Sequence, residues 1–224
     1  MPNHSTRLVA TFPHAVICAA GLGSRLGYEI PKALVNITDD KKIIDFQIDM
    51  TENVDEISVV VGYKHEKLEE YLKNIDRDVN IVHNKGYANN STCYSIYLAT
   101  KDSDKPYISI DGDLLINKNE FNNFVNAFDG ETLLGITPAK TEDGVYAILN
   151  ENHEILSFQR NPKTPYEWAN IACISKPVEI KKDEPYVFPQ FEKHLPLKSF
   201  MIENCYEVDT PGDLKVAIQN LDKY

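Results

Sequence analysis

The stretch Ala15–Leu34, AVICAAGLGSRLGYEIPKAL, decides how the rest of the chain is read. Ala15 to Ala20 form an unbroken apolar run, the pattern of a strand buried on both faces of a parallel sheet. Gly21 and Gly23 then break the strand and bare the backbone, Arg25 follows, and Pro31-Lys32 closes the segment. Glycines let main-chain N–H groups come close to phosphate oxygens, and Arg and Lys supply countercharge. A strand emptying into such a loop is suited to hold a polyphosphate, with Ala19, Ala20, Gly21, Gly23, Ser24 and Arg25 as nucleotide-binding candidates. The dinucleotide fingerprint G-x-G-x-x-G does not fit, because Gly27 falls one place late and no acid closes a second strand at the expected distance. A Walker-type G-x-x-x-x-G-K-[ST] is absent from the chain.

Further along, apolar runs alternate with helical patterns. Ile43–Met50 has helical length, Glu56–Val61 is a β-branched run, His65–Lys73 places Leu68 and Leu72 on one helix face, and Asn80–His83 is a short strand. This order predicts a parallel sheet with right-handed crossovers. A polar loop, Asn84–Asn90, leaves the third strand, and Asn90 or Ser91 is placed to cap a helix reaching Thr100. Ligands of open α/β sheets gather beyond the C-terminal strand ends, where both loops lie. Asn89, Asn90 and Ser91 offer donors and acceptors for a base edge or ribose, although plain capping and turn chemistry suits them equally. Tyr107–Ile110 runs into Asp111-Gly112-Asp113, two carboxylates at a strand end, suited to Mg²⁺ or to a simple Asp-Gly turn. From Thr132 the pattern becomes short strands joined by polar turns, a mixed and partly antiparallel extension. At Tyr206–Leu214 a strand delivers Asp209, and Thr210, Pro211 and Asp213 open a helix; capping explains those three but not Asp209.

The order A-A-G-x-G-S-R-L-x-x-x-x-P-K, together with Asn89-Asn90, Asp113 and D-T-P-x-D-L at Asp209–Leu214, resembles the nucleotidyltransferases, most of all the bacterial phosphocholine and aminoethylphosphonate cytidylyltransferases. The resemblance implies a Rossmann-like three-layer α/β/α fold with a mostly parallel central sheet. It implies a nucleoside triphosphate, CTP favoured, joined to a small phosphorylated acceptor with release of pyrophosphate. It implies Lys32 and Arg25 as catalytic residues, Asp113 and Asp209 as ligands of Mg²⁺, and Asp111 beside them at the nucleotide. Arg160, with Lys163 as a rival, and Asn170 would face the acceptor. Trp168 and Tyr206 lie in the half expected to cover it, where they could cage a cationic head group, although aromatics there are more often core. A sugar-1-phosphate nucleotidyltransferase and a non-catalytic nucleotide-binding regulator are the competing readings; retention of Arg25, Lys32, Asp113 and Asp209 together speaks against the second.

The totals set limits on these readings. The 224 residues suit a single domain, 15–224, with a nucleotide-binding half over 15–130 and an acceptor-binding half over 131–224, after a polar extension over 1–14 without the apolar segment of a secretory leader. A net charge of −11 disfavours nucleic acid and anionic membranes as partners, so cations must be concentrated at the site. No apolar stretch approaches the roughly 18 residues of a spanning helix. Cys18, Cys93, Cys173 and Cys205 lie scattered in apolar runs, the pattern of reduced thiols in a cytoplasmic protein. The histidines show neither H-x-H nor H-E-x-x-H, so spacing announces no zinc site. A homodimer is an open expectation.

Overall fold

The structure, a computed structural model, describes residues 12–224. The first strand, β1 (Phe12–Ala19), begins three residues before the apolar run, because Phe12 is buried and packs edge-on against Phe128. Most of the expected polar extension lies outside the described residues, and its last three, Phe12 to His14, belong to this strand instead.

Eight elements follow in alternation: α1 (Ile43–Met50), β2 (Val54–Val61), α2 (His65–Leu72), β3 (Asn80–His83), α3 (Thr92–Thr100), β4 (Tyr107–Asp111), β5 (Leu114–Ile116) and α4 (Lys118–Asn126). The later ones are β6 (Leu133–Pro138), β7 (Tyr146–Leu149), β8 (Glu154–Gln159), β9 (Tyr166–Ile174), α5 (Phe188–Phe191), β10 (Leu197–Met201), β11 (Cys205–Glu207) and α6 (Pro211–Gln219). Among the described residues the main sheet has nine strands in the order β3-β2-β1-β4-β9-β6-β10-β8-β7, and β5 and β11 form a separate pair.

The first four strands of that order are mutually parallel, as the alternating pattern predicts. Successive β1 side chains point to opposite faces. Ala15, Ile17 and Ala19 share a core with α1, α2 and α4, whereas Val16, Cys18 and Ala20 pack with Ala99 of α3. Burial on both faces is why this strand reads as unbroken apolar sequence.

Beyond β4 the sheet is mixed. β9 runs antiparallel to both β4 and β6, and its first residues also pair with β7, so the far end of the sheet curls back on itself. Between the Leu134–Ala172 and Ile136–Trp168 pairs β9 carries extra residues, a bulge centred on Asn170 at φ +52°. A second core, with Leu134, Ile136, Ile155, Ala172 and Phe191, fills this half. α4, α5, β5 and β10 have no counterpart among the elements expected from the sequence; β5 has three residues, too few to show periodicity.

Candidate functional site

The site forms where β1, β4 and the short β5–β11 pair end together. β5 and β11 are antiparallel, with Leu114 opposite Glu207. One step beyond the ladder, the Val208 N–H donates to the Asp113 carbonyl at 3.0 Å. That register brings Asp113 and Asp209 side by side from opposite ends of the chain. Gly112 makes the approach possible, since a Cβ there would stand 2.5 Å from the Cys18 carbonyl oxygen. Buried Gln47 of α1 braces the turn, its Nε2 donating to the carbonyls of Asp111 at 2.8 Å and Leu114 at 3.1 Å.

Lys32 enters from the other side. Pro31 precedes a short 3₁₀ turn, Lys32–Leu34, whose Ala33 and Leu34 are buried and fix the backbone. The Lys32 ammonium donates to Asp113 Oδ2 at 2.7 Å and to Asp209 Oδ1. Arg25 Nη2 lies 2.6 Å from Asp209 Oδ2, with its side chain 64% exposed. Gly23, at φ +59°, makes the bend that turns this loop back over Lys32. Burial pulls the Lys32 pKa down, yet Asp113 and Asp209 outweigh it and hold the ammonium above its ordinary range. Burial acts against the Asp209 carboxylate too, but Lys32 and Arg25 win and its pKa is lowered.

A third carboxylate, Glu207, joins the cluster. One ligand oxygen from each of Asp113, Glu207 and Asp209 lies within 4.8 Å of the others. Glu207 is pushed well up by burial and then by Asp113 and Asp209, and Asp111 rises by burial and then by Asp113. Among the described residues, four carboxylates therefore face two cations, and Asp113 Oδ1 is buried without a partner. An all-oxygen donor set whose carboxylates crowd one another, with an unpaired buried oxygen, fits a hard divalent cation. Asp113 and Asp209 are expected from the sequence, whereas Glu207 is not. The available signal was the i, i+2 spacing of Glu207 and Asp209, which puts both on one side of an extended chain.

The remaining candidates divide into two groups. Ala19 and Ala20 end β1, and Gly21 and Ser24 continue into the loop. Asn170 reaches the cluster, Nδ2 donating to Glu207 Oε2 at 3.2 Å from the β9 bulge. The Asn84–Asn90 loop sits at the same strand-end edge, because Gly62 leaves room for Tyr87 beside Ala20. Asn89 and Asn90 are exposed there. Ser91 occupies the N-cap position of α3 without capping it; its hydroxyl donates to the Glu184 carbonyl at 2.6 Å. Arg160 is engaged away from the carboxylates, donating to the Asp143 carbonyl at 3.0 Å and lying 5.5 Å from both the Tyr186 and Phe188 ring centroids. Lys163 pairs with Glu142. Trp168 packs edge-on against Phe191 in the second core, its Nε1 donating to the Ile171 carbonyl at 3.3 Å. Tyr206 is on the opposite face of β11 from Glu207 and stacks near Tyr224, with the Lys140 ammonium 4.8 Å from its ring centroid.

Comparison with known proteins bears on the family and the fold. Over 114 residues the chain is 38% identical to choline-phosphate cytidylyltransferase of Streptococcus pneumoniae, an alignment covering 49% of this chain and 48% of that one. Over 147 residues it is 30% identical to choline-phosphate cytidylyltransferase of Haemophilus influenzae, covering 64% and 60%. These alignments span about half to three-fifths of the length of the relatives. The solved structure of CTP:phosphocholine cytidylyltransferase from Streptococcus pneumoniae superposes with a TM-score of 0.78 over 94% of this chain and 99% of that one, at 22% identity, which shows the fold. Residues 29–157 match the family described as a domain of unknown function, DUF6564. With more than half of its length inside that match, the chain belongs to the DUF6564 family, on a nucleotidyltransferase fold shared with the bacterial cytidylyltransferases to which its sequence is related.

Proposed function

We propose that the protein is a Mg²⁺-dependent cytidylyltransferase that joins CTP to a small phosphorylated acceptor, an amino-alcohol phosphate or phosphonate being favoured, and releases pyrophosphate. One observation carries this reading. Asp113 and Asp209, ninety-six residues apart, meet across the Lys32 ammonium, with Arg25 on the outer side and a glycine loop beside them. The names of the relatives support the choice of CTP and of a phosphorylated acceptor. Helices on both faces of the parallel strands support a Rossmann-like three-layer description of the nucleotide half. Four free cysteines are in keeping with a cytoplasmic setting.

In the proposed reaction an oxygen of the acceptor's phosphate attacks the α-phosphorus in line; the new P–O bond forms as the bond to the β-phosphate oxygen breaks. The attacking oxygen is already ionised near neutral pH, so no side chain need act as nucleophile or base. The work of the protein is alignment and charge compensation. Loop amides around Gly21 and Gly23, with Arg25, hold the β- and γ-phosphates, and the exposure of Arg25 leaves it free to swing onto them. Lys32, held at the centre by its two carboxylates, meets charge developing around the α-phosphorus. Asp113, Asp209 and Glu207 would hold Mg²⁺, which when bound supplies positive charge against the phosphate oxygens. Asn89 and Asn90 are suited to the nucleoside, and Asn170 to the acceptor side.

The test is pyrophosphate release with four nucleoside triphosphates set against choline, ethanolamine, glycerol and sugar phosphates. CTP with an amino-alcohol phosphate should turn over fastest. Release with another nucleotide and a sugar 1-phosphate would overturn the substrate assignment, and no release with any pair would overturn the enzymatic reading.

A further inference from the structure

A second cluster of ligand-bearing side chains lies outside the site described above. His65 opens α2, Glu69 follows one turn later, and His83 ends β3. His65 Nδ1 is 2.6 Å from Glu69 Oε1, and His83 Nε2 is 3.5 Å from the same oxygen. The two imidazoles meet edge to face, 5.1 Å between centroids. One ligand atom from each of the three residues lies within 4.8 Å of the others. The outer nitrogen of His65, Nε2, is 3.3 Å from Glu66 Oε1. An imidazole with one nitrogen facing a shared centre and the other facing a carboxylate is the arrangement that orients a metal-ligating histidine and fixes its tautomer.

We propose that His65 Nδ1, Glu69 Oε1 and His83 Nε2 form a binding site for Zn²⁺ or a similar first-row transition ion. Two imidazoles and one carboxylate match the borderline character of such ions and not that of Mg²⁺, which takes all-oxygen sites. Ligand atoms around a tetrahedral ion with bonds of about 2.0–2.1 Å stand roughly 3.3 Å apart. Opening the His65–Glu69 contact to that distance takes a small rotation of side chains that are 39% and 19% exposed. Three protein ligands leave a fourth position for water or a ligand from solution. The ion would tie the first turn of α2 to the end of β3, immediately before the Asn84–Asn90 loop. Because the donor set is independent of Asp113, Glu207 and Asp209, the inference stands apart from the proposed reaction.

The experiment titrates Zn²⁺ calorimetrically, and Co²⁺ by its visible spectrum, into the chelator-treated full chain with saturating Mg²⁺ present. One equivalent of Zn²⁺ should bind, and Co²⁺ should develop the bands of a four-coordinate nitrogen–oxygen site. H83Q and H65Q should each weaken this binding at least about tenfold, as even the loss of an orienting outer partner costs that much. Melting curves without metal should match the parent, since both histidines are about two-fifths exposed. D209N should leave the Zn²⁺ affinity unchanged. Equal affinity in the parent, H83Q and H65Q, or loss of binding in D209N alone, would overturn the proposal.

Discussion

Lys32 is the residue on which the site balances. Its ammonium separates two carboxylates that would otherwise repel one another, and in the proposed reaction it meets the charge developing around the α-phosphorus. Removing a preorganised charged donor costs about 10²–10³ in rate. K32A should lose turnover on that scale in the pyrophosphate assay while its far-ultraviolet circular dichroism stays native; wild-type turnover would end the assignment. Gly112 offers a steric counterpart. In G112A the new methyl would press on the Cys18 carbonyl and on Ala19 Cα, backbone atoms of the central strand. Overpacking of this kind costs about 1–3 kcal/mol, which a denaturant midpoint would register. His14 carries the residue-scale pH effect. It is buried, its Nε2 is 2.9 Å from Ser58 Oγ, and burial lowers its pKa. The folded state thus holds the neutral ring while the unfolded chain takes up a proton near the ordinary histidine value of about 6.5. Stability contributed by this group is present above that pH and falls as pH drops through it. Between pH 7.5 and 5 the denaturant midpoint of the parent should fall relative to that of H14N; a constant difference between the two would end this assignment.

At the scale of elements, α6 shows how local sequence places a functional side chain. Thr210 Oγ1 accepts from the Asp213 N–H at 3.2 Å, and Asp213 Oδ2 accepts from the Thr210 N–H at 2.8 Å. This reciprocal cap fixes where the helix starts, and so where Asp209, one residue earlier, points. T210A should cost about 0.5–2 kcal/mol of stability and should also raise the Mg²⁺ concentration needed for half-maximal turnover; a stability loss with the metal requirement unchanged would separate the cap from the site. The cap was legible in the D-T-P-x-D-L motif because its partners are three residues apart. The β5–β11 pair was not. A strand leading to Asp209 is legible, but β5 contains three residues and lies some ninety positions away, so nothing local announces it or its pairing with β11.

For the molecule as a whole, charge is the deciding quantity. The chain carries a net −11, and four carboxylates converge on two cations at the ends of the parallel strands. A cation that binds only the folded state stabilises it by mass action, about 2.7 kcal/mol at a hundredfold excess over Kd. Mg²⁺ should therefore raise the melting temperature of the parent, and D209N should abolish most of that rise. An equal rise in both proteins would indicate general screening instead.

What the sequence determined by itself was whatever depends on neighbours along the chain. The apolar run of β1, the glycine loop with Arg25 and Lys32, the alternation that makes β3-β2-β1-β4 parallel, and the capped start of α6 are all short-range patterns. What only the tertiary structure decided depends on pairing between distant segments. The β9 bulge aims Asn170 at Glu207, the β5–β11 ladder turns Glu207 inward and Tyr206 outward, and Arg160 is drawn to aromatic rings instead of to the carboxylates. The same holds for His65, Glu69 and His83. The first two are one helical turn apart, but the third arrives from a neighbouring strand, and the register of β3 beside β2 carries it there. Side-chain chemistry can be read locally, whereas the meeting of two surfaces is set by the packing of the whole sheet.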